Sequence, residues 1–219
     1  PTTDTIKTST DQEAIDSAQA EINKISDPSL KTGLQTNLDR AQELLDERNA
    51  VAKQVEDATK AVDTLFTNDT PTSNAIKPTT TQQAIDDAKK LVAAITDAAV
   101  KATRQADLDK AQTLLDTRTA QAVADQEQKT VANYVVNQLF VGNTPTSDAI
   151  KTSTGQEAID NAQAEINKIS DPSLKTGLQT NLDRAQELLN ERNALTKQAE
   201  QAVDELFNNG DKNGSLKAE

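Results

Sequence analysis

Apolar residues recur along this chain at helical spacing. Ile15, Ala18, Ile22 and Ile25 fall at steps of three, four and three, and Ile85, Ala88, Val92 and Ile95 repeat the pattern. Such a stripe predicts an amphipathic helix A. A T-x-x-E/Q capping box opens it at Thr10 with Glu13, Thr80 with Gln83, and Thr154 with Glu157. Ser26–Asp27–Pro28 closes it, and Asp27 can cap the next helix with Pro28 at its first position. Helix B then carries Leu34, Leu38, Ala41 and Leu45, and the stripe runs on through Ala52, Val55, Val62 and Leu65. No Gly or Pro interrupts residues 34–66. Either one helix of roughly 39 residues, about 58 Å long, runs through, or a bend near Arg48–Asn49 makes a hairpin. The unbroken stripe favours the single helix. After Phe66 the chain turns rich in Thr, Pro, Asn and Asp, which predicts a loop. One apolar residue there (Ile6, Ile76 or Ile150) is expected to pin it down.

The pattern is repeated. Residues 156–194 duplicate residues 12–50 except for Asn161 in place of Ser17 and Asn190 in place of Asp46, and a diverged copy lies between them. Ile15, Ile85 and Ile159 set the register, as do Arg48, Arg118 and Arg192. Each copy closes on Leu-Phe, at Phe66, Phe140 and Phe207. From Arg to Phe the copies span 18, 22 and 15 residues. Differences of four and three are each close to one helical turn, so the stretch before each Phe is expected to be helical. Residues following Phe207 align with the start of a further loop, so the chain is expected to be part of a longer array.

The fold these features predict is all-α and roughly three-quarters helical. It consists of tandem three-helix bundles forming an elongated, spectrin-like rod, with long helices shared between units. The repeats are residues 1–70, 71–144 (diverged) and 145–207, with 208–219 starting the loop to another. If the long helix is continuous, the physical bundles instead run from about 50 to 118 and from 124 to 192. A single copy, with one Phe and many Ala, has a thin core and is expected to be marginal alone.

Composition narrows the function. The 219 residues contain no Cys and no His. That removes disulfides, thiol nucleophiles and imidazole chemistry. A net charge of −12 repels phosphate backbones and anionic lipid, so neither nucleic acid nor a membrane is an expected partner. No apolar run is long enough to span a bilayer. Carboxylates are plentiful but stand at helix-surface spacings beside Lys and Arg. No nucleotide-binding glycine loop or nucleophile elbow occurs. The expectation is therefore a non-enzyme without cofactor or metal. Asn209, Asp211, Asn213 and Gly214 have the spacing of half a calcium loop. Its bidentate Glu would fall at position 220, and the same residues align with a loop between repeats.

One polar set recurs in all three copies. It comprises Lys31, Gln35, Asp39 and Gln42; Lys101, Gln105, Asp109 and Gln112; and Lys175, Gln179, Asp183 and Gln186. Steps of four, four and three place each set on one stripe beside the apolar seam. Two readings stand: flanking contacts between helices, or a repeated docking stripe for a partner. Arg48 and its equivalents carry the same two readings. The Phe set is expected to plug the bundle ends.

The succession L-F-x-x-x-T-P-T-x-x-A-I-K, T-x-Q-x-A-I-D-x-A and L-D-[RK]-A-Q-x-L-L resembles the helical repeat modules of Gram-positive cell-wall surface proteins. A related module occurs in the C-terminal protoxin part of crystal toxins, and the three-helix modules of matrix-binding adhesins are more loosely similar. The resemblance covers nearly all of the chain and brings no catalytic residues. It implies an extracellular protein, attached to the cell wall or cell surface, in which such modules act as spacers. The chain is then expected to be a monomeric segment of a longer multidomain protein. The alternative it leaves open is an adhesin-type module whose repeated helix faces bind a host or matrix protein.

Overall fold

The computed structural model describes residues 5–207. Six α-helices carry the chain: α1 (Gln12–Asn23), α2 (Pro28–Asp63), α3 (Gln82–Ala94), α4 (Ala98–Gln138), α5 (Gln156–Asn167) and α6 (Pro172–Asp204). Together with four three-residue 3-10 turns in the loops they account for 78% of the described residues. Phe66 and Phe140 form isolated antiparallel bridges with Ile76 and Ile150, and no longer strand forms among the described residues.

The long helices are continuous. α2 has 36 residues, about 54 Å at 1.5 Å each, and passes Arg48–Asn49 without interruption. Each long helix starts where the sequence places it. The Asp27 carboxylate accepts from the backbone N–H groups of Ser29 at 2.8 Å and Leu30 at 3.2 Å, with Pro28 at the first position. At α4 the Asp97 carboxylate accepts from the Ala99 and Val100 N–H groups, with Ala98 in place of the proline, and at α6 Asp171 accepts from the Ser173 N–H ahead of Pro172.

The short helices differ from the expectation. Their N-caps are Asp11, Thr81 and Gly155, one residue after the predicted threonines. Asp11 accepts from the Ala14 N–H at 2.9 Å and Thr81 from the Ala84 N–H at 3.2 Å. The preceding threonines have a tertiary task. Thr80 and Thr154 are buried and donate to the carbonyls of Leu65 at 2.6 Å and Leu139 at 2.7 Å. Those carbonyls end a long helix and have no partner within it. Lys77 and Lys151 supply a second donor to each through their backbone N–H, at 3.0 Å.

The chain divides into two units, residues 1–116 and 117–219. Unit 1 holds two hydrophobic cores along α2. In the first, Ile15 and Ile22 of α1 meet Leu38 and Leu45 of α2, with Ile6 packed against them. In the second, Ala58, Val62, Leu65 and Phe66 from the end of α2 meet two further helices. α3 contributes Ile85, Ala88 and Val92, and α4 contributes Leu108, Ala111 and Leu115. Unit 2 has one core of the same three-segment kind. Ala132, Val136, Leu139 and Phe140 pack with Ile159, Ala162 and Ile166 of α5 and with Leu178, Leu182, Ala185 and Leu189 of α6. The packed unit is thus offset from the sequence repeat: a three-segment core joins the end of one repeat to the beginning of the next.

The loop that makes this possible is tightly specified. Asn68, Asp69 and Asn74 adopt positive φ of 58°, 52° and 54°, a region that Asn and Asp tolerate better than most residues. Ile76 and Ile150 pack against the cores as anticipated, and Phe66 and Phe140 are completely buried. Phe207, which the repeat makes their equal, is only half-buried.

That difference is measurable. Phe140→Ala should destabilise the unit 2 core by about 3–5 kcal/mol, speeding hydrogen exchange of α5 amides by at least about 100-fold. Phe207→Ala should change it by less than about 1 kcal/mol. Equal effects of the two substitutions would refute the packing described.

Candidate functional site

Where polar side chains converge, they do so between helices. The recurrent glutamines form reciprocal amide pairs, each side chain donating to and accepting from the other. Gln42 pairs with Gln12 of α1 at 2.9 and 3.0 Å. Gln112 pairs with Gln82 of α3 at 2.8 Å in both directions. Gln186 pairs with Gln156 of α5 at 2.8 and 3.0 Å. A second rung joins Gln35 to Gln19 at 2.8 Å and Gln179 to Gln163 at 2.9 and 3.0 Å. The middle copy has Lys89 where this rung has Gln19, and its ammonium donates to Gln112 Oε1 at 3.2 Å. Each pair satisfies four amide groups that a half-buried seam would otherwise leave competing with water.

The acidic members of the stripe orient the glutamines. Asp39, Asp109 and Asp183 accept from Gln35, Gln105 and Gln179 one turn earlier, at 2.8, 2.8 and 2.9 Å. Lys101 reaches back to the Ala93 carbonyl at 2.5 Å, at the end of α3. Lys31 and Lys175 border shallow surface grooves with Asp39 and Asp183 respectively. So the structure brings Gln35, Gln42, Gln112, Gln179 and Gln186 onto the neighbouring short helix, keeps the exposed Gln105 on Asp109 of its own helix, and leaves the stripe's Asp residues exposed.

Arg48 and Arg192 grip the loop. Arg48 donates to the carbonyls of Lys7 and Thr8, both at 3.2 Å, and to that of Thr10. Arg192 holds Lys151, Thr152 and Thr154 in the same way. A planar fork with several fixed N–H groups suits such a set of converging carbonyls better than an ammonium does.

Two further polar residues were not singled out from the sequence. Arg104 bridges Asp63 at the end of α2 and Asp107 on its own helix, both at 3.2 Å. Asp125 is buried on α4. It accepts from the backbone N–H groups of Ser170 at 2.8 Å and Asp171 at 2.9 Å, and from Gln121 at 3.0 Å. It thereby ties the α5–α6 turn to α4. The sequence carried no signal for it: matched on the closing Phe, Asp125 stands where α2 has the exposed Val51. Among the described residues no group of three His, Cys, Asp or Glu is gathered. Asn209, Asp211, Asn213 and Gly214 lie outside the described residues.

The family model described as pesticidal crystal protein Cry1Aa, domain IV, matches the chain three times, at residues 2–47, 53–117 and 127–191. The second and third matches enclose the two three-segment cores, beginning inside α2 and α4 and ending inside α4 and α6. No curated protein and no solved structure matches the chain.

Asp125 offers a pH test of the α5–α6 corner. The Ser170 N–H, against the opposing effect of burial and with help from Gln121, holds its carboxyl below the ordinary value of 3.8. The carboxylate form therefore stabilises the fold. That contribution is complete above the ordinary value and is lost as pH falls through the lower, folded-state one. Asp125→Asn should melt at lower temperature than the parent at neutral pH, with the gap closing in acid. A gap that stays constant from about pH 7 to about pH 2 would exclude this role.

Proposed function

The chain belongs to the crystal-protein domain IV family, and we propose that it serves as a structural spacer within a bacterial surface protein, presenting another domain away from the cell. The observation that carries this reading is the sharing of α2 between two cores. One uninterrupted, hydrogen-bonded helix contributes Leu38 and Leu45 to the first and Val62 and Leu65 to the second. Bending it between the cores would break backbone hydrogen bonds, so position is transmitted along about 54 Å. The family is named for the fourth domain of a larger protein, which suits a module that stands beside others. The likeness of its Leu-Phe and Thr-Pro-Thr segments to wall-protein modules supports a location at the cell wall. Absence of Cys and Met leaves no sulfur to be altered in an oxidising exterior.

The competing reading is an adhesin module whose polar stripe grips a host or matrix protein. The reciprocal glutamine pairs weigh toward the spacer, because a partner would have to displace amide hydrogen bonds already made within the helix pair.

The chain lacks native Cys, so spin labels can be placed cleanly at Thr36→Cys and Lys60→Cys on α2. A spacer should give one narrow distance near 36 Å between backbone positions, from 24 residues at about 1.5 Å. A broad or short distribution would defeat the reading. Immobilised full-length chain should retain no specific protein from serum or matrix extract. Capture at micromolar affinity, lost on replacing Asp39 and Asp183 with Lys, would establish the adhesin instead.

A further inference from the structure

α2 and α4 end alike on their inner sides. Ala58, Val62, Leu65 and Phe66 close one, Ala132, Val136, Leu139 and Phe140 the other, and each set is buried in a complete three-segment core. The sides turned away from those cores are not alike. On α4 the outer side carries Val123, Glu127, Val131 and Tyr134, which fall within about 80° of one another at about 100° per residue, opposite Ala132 and Val136. Val123 is 55%, Val131 48% and Tyr134 66% exposed, and Glu127 is exposed with them. Matched on the closing Phe, the same places hold Asn49, Lys53, Asp57 and Lys60 on α2, all exposed, and Asn190, Ala194, Gln198 and Gln201 on α6. Neither the α2 nor the α4 stretch lies near an end of the chain, and both cores have their three segments. This side therefore faces water by architecture, polar on α2 and apolar on α4.

Nothing within the fold explains the difference. Val and Tyr at exposed helix positions lose side-chain freedom that Lys and Gln keep, and the core does not use them. Apolar residues scattered singly over a surface are ordinary, but these three stand in one line about 17 Å long, from 11 residues at about 1.5 Å each. Tyr134 is the only tyrosine in the chain, and a tyrosine offers apolar area and a hydroxyl together, as contact surfaces favour. Glu127 sits within the line, and among the described residues no Lys or Arg pairs with it.

We infer that this outer face of α4 docks an amphipathic helix of a partner protein, which lays apolar residues at three- and four-residue steps along Val123, Val131 and Tyr134 and sets a lysine or arginine against Glu127. A straight stripe one side chain wide on a convex helix meets another helix along its whole length. Charge selects the occupant. A second copy would bring another Glu127 and another net charge of −12 to the contact, and the stripe itself offers no cation to either carboxylate. A basic helix is drawn to the acidic chain before contact and pairs with Glu127 after it. This face is separate from the glutamine-bearing stripe, so the proposal depends on neither the spacer nor the adhesin reading.

With no Trp and one Tyr in the chain, the emission of Tyr134 reports directly on the stripe. The full chain is titrated with two synthetic helical peptides of about 18 residues, five turns, built from Leu, Ala and Gln. One carries a single Lys in the middle of its Leu stripe, the other a Glu there. The Lys peptide should change Tyr134 emission saturably with a Kd on the order of 100 μM, and the Glu peptide should bind at least about tenfold more weakly. Glu127→Lys should reverse that preference, which a merely structural Glu127 would not do. Val131→Asp, which copies Asp57 of α2, should abolish the response. Circular dichroism checks that both variants stay helical. Equal response to the two peptides, or a response that survives Val131→Asp, would overturn the proposal, as would no response up to about 1 mM peptide. Sedimentation tests the other occupant: a mass that rises with concentration above the 23.5 kDa of one chain, and falls back in Val131→Asp, assigns the stripe to a second copy and refutes the basic helix.

Discussion

A helix pair built mainly from Ala, Gln and single aliphatic residues encloses a seam rather than a core. Burying that seam takes a third helix, and in both complete cores the third helix is the end of the one before. The rest of the architecture answers to this need. The long helix has to continue past its own partner to reach the next, so α2 and α4 run to 36 and 41 residues. The chain must then reverse within a short loop so that the short helix returns over the same helix end. Phe66 and Phe140 mark where that reversal is sealed, and the carbonyl before each is held by a threonine hydroxyl and a backbone N–H.

Because the apolar volume is small, polar contacts set the register. A Leu-on-Ala surface tolerates sliding, whereas a reciprocal amide pair is satisfied at one offset only. The glutamine rungs recur at 30 and 16 residues of separation, so each short helix meets its long neighbour at the same height. Arginine clamps fix the loop to the same helix pair. Ion pairs such as Lys24–Glu21 and Lys90–Asp87 are exposed and close within one helix turn. Pairs of that kind contribute little to stability.

The crystal-protein family match follows the packed core rather than the repeat that ends on Leu-Phe. A segment that closes a core is a self-consistent unit, whereas one cut at the Phe leaves its apolar helix end bare. The second core of unit 1 and the core of unit 2 share this boundary even though their long helices differ in length. The extra residues lie within helix, where about one turn can be added while the apolar face stays in phase.

Much of this was readable from residues alone, and for a shared reason. Helical phase, the Asp27–Pro28 start, the Thr-Pro-Asn loop and its anchoring Ile are local signals, decided within a turn or two of chain. The all-helical fold follows from them. Features that depend on which distant segment lies opposite were not decided locally. Thr80 fits a capping box, but a carbonyl fifteen residues away takes its hydroxyl and leaves the cap to Thr81. Asp125 reads as a surface acid until the α5–α6 turn presents two N–H groups to it. The choice between hairpin and continuous helix was open in the sequence because both bury the same stripe. Three phenylalanines occupy equivalent places in three repeats, yet two are sealed and one is not. Sequence by itself determined which faces are apolar and where each helix begins; only the tertiary structure decided which faces meet, because burial belongs to a pair of surfaces and not to either one.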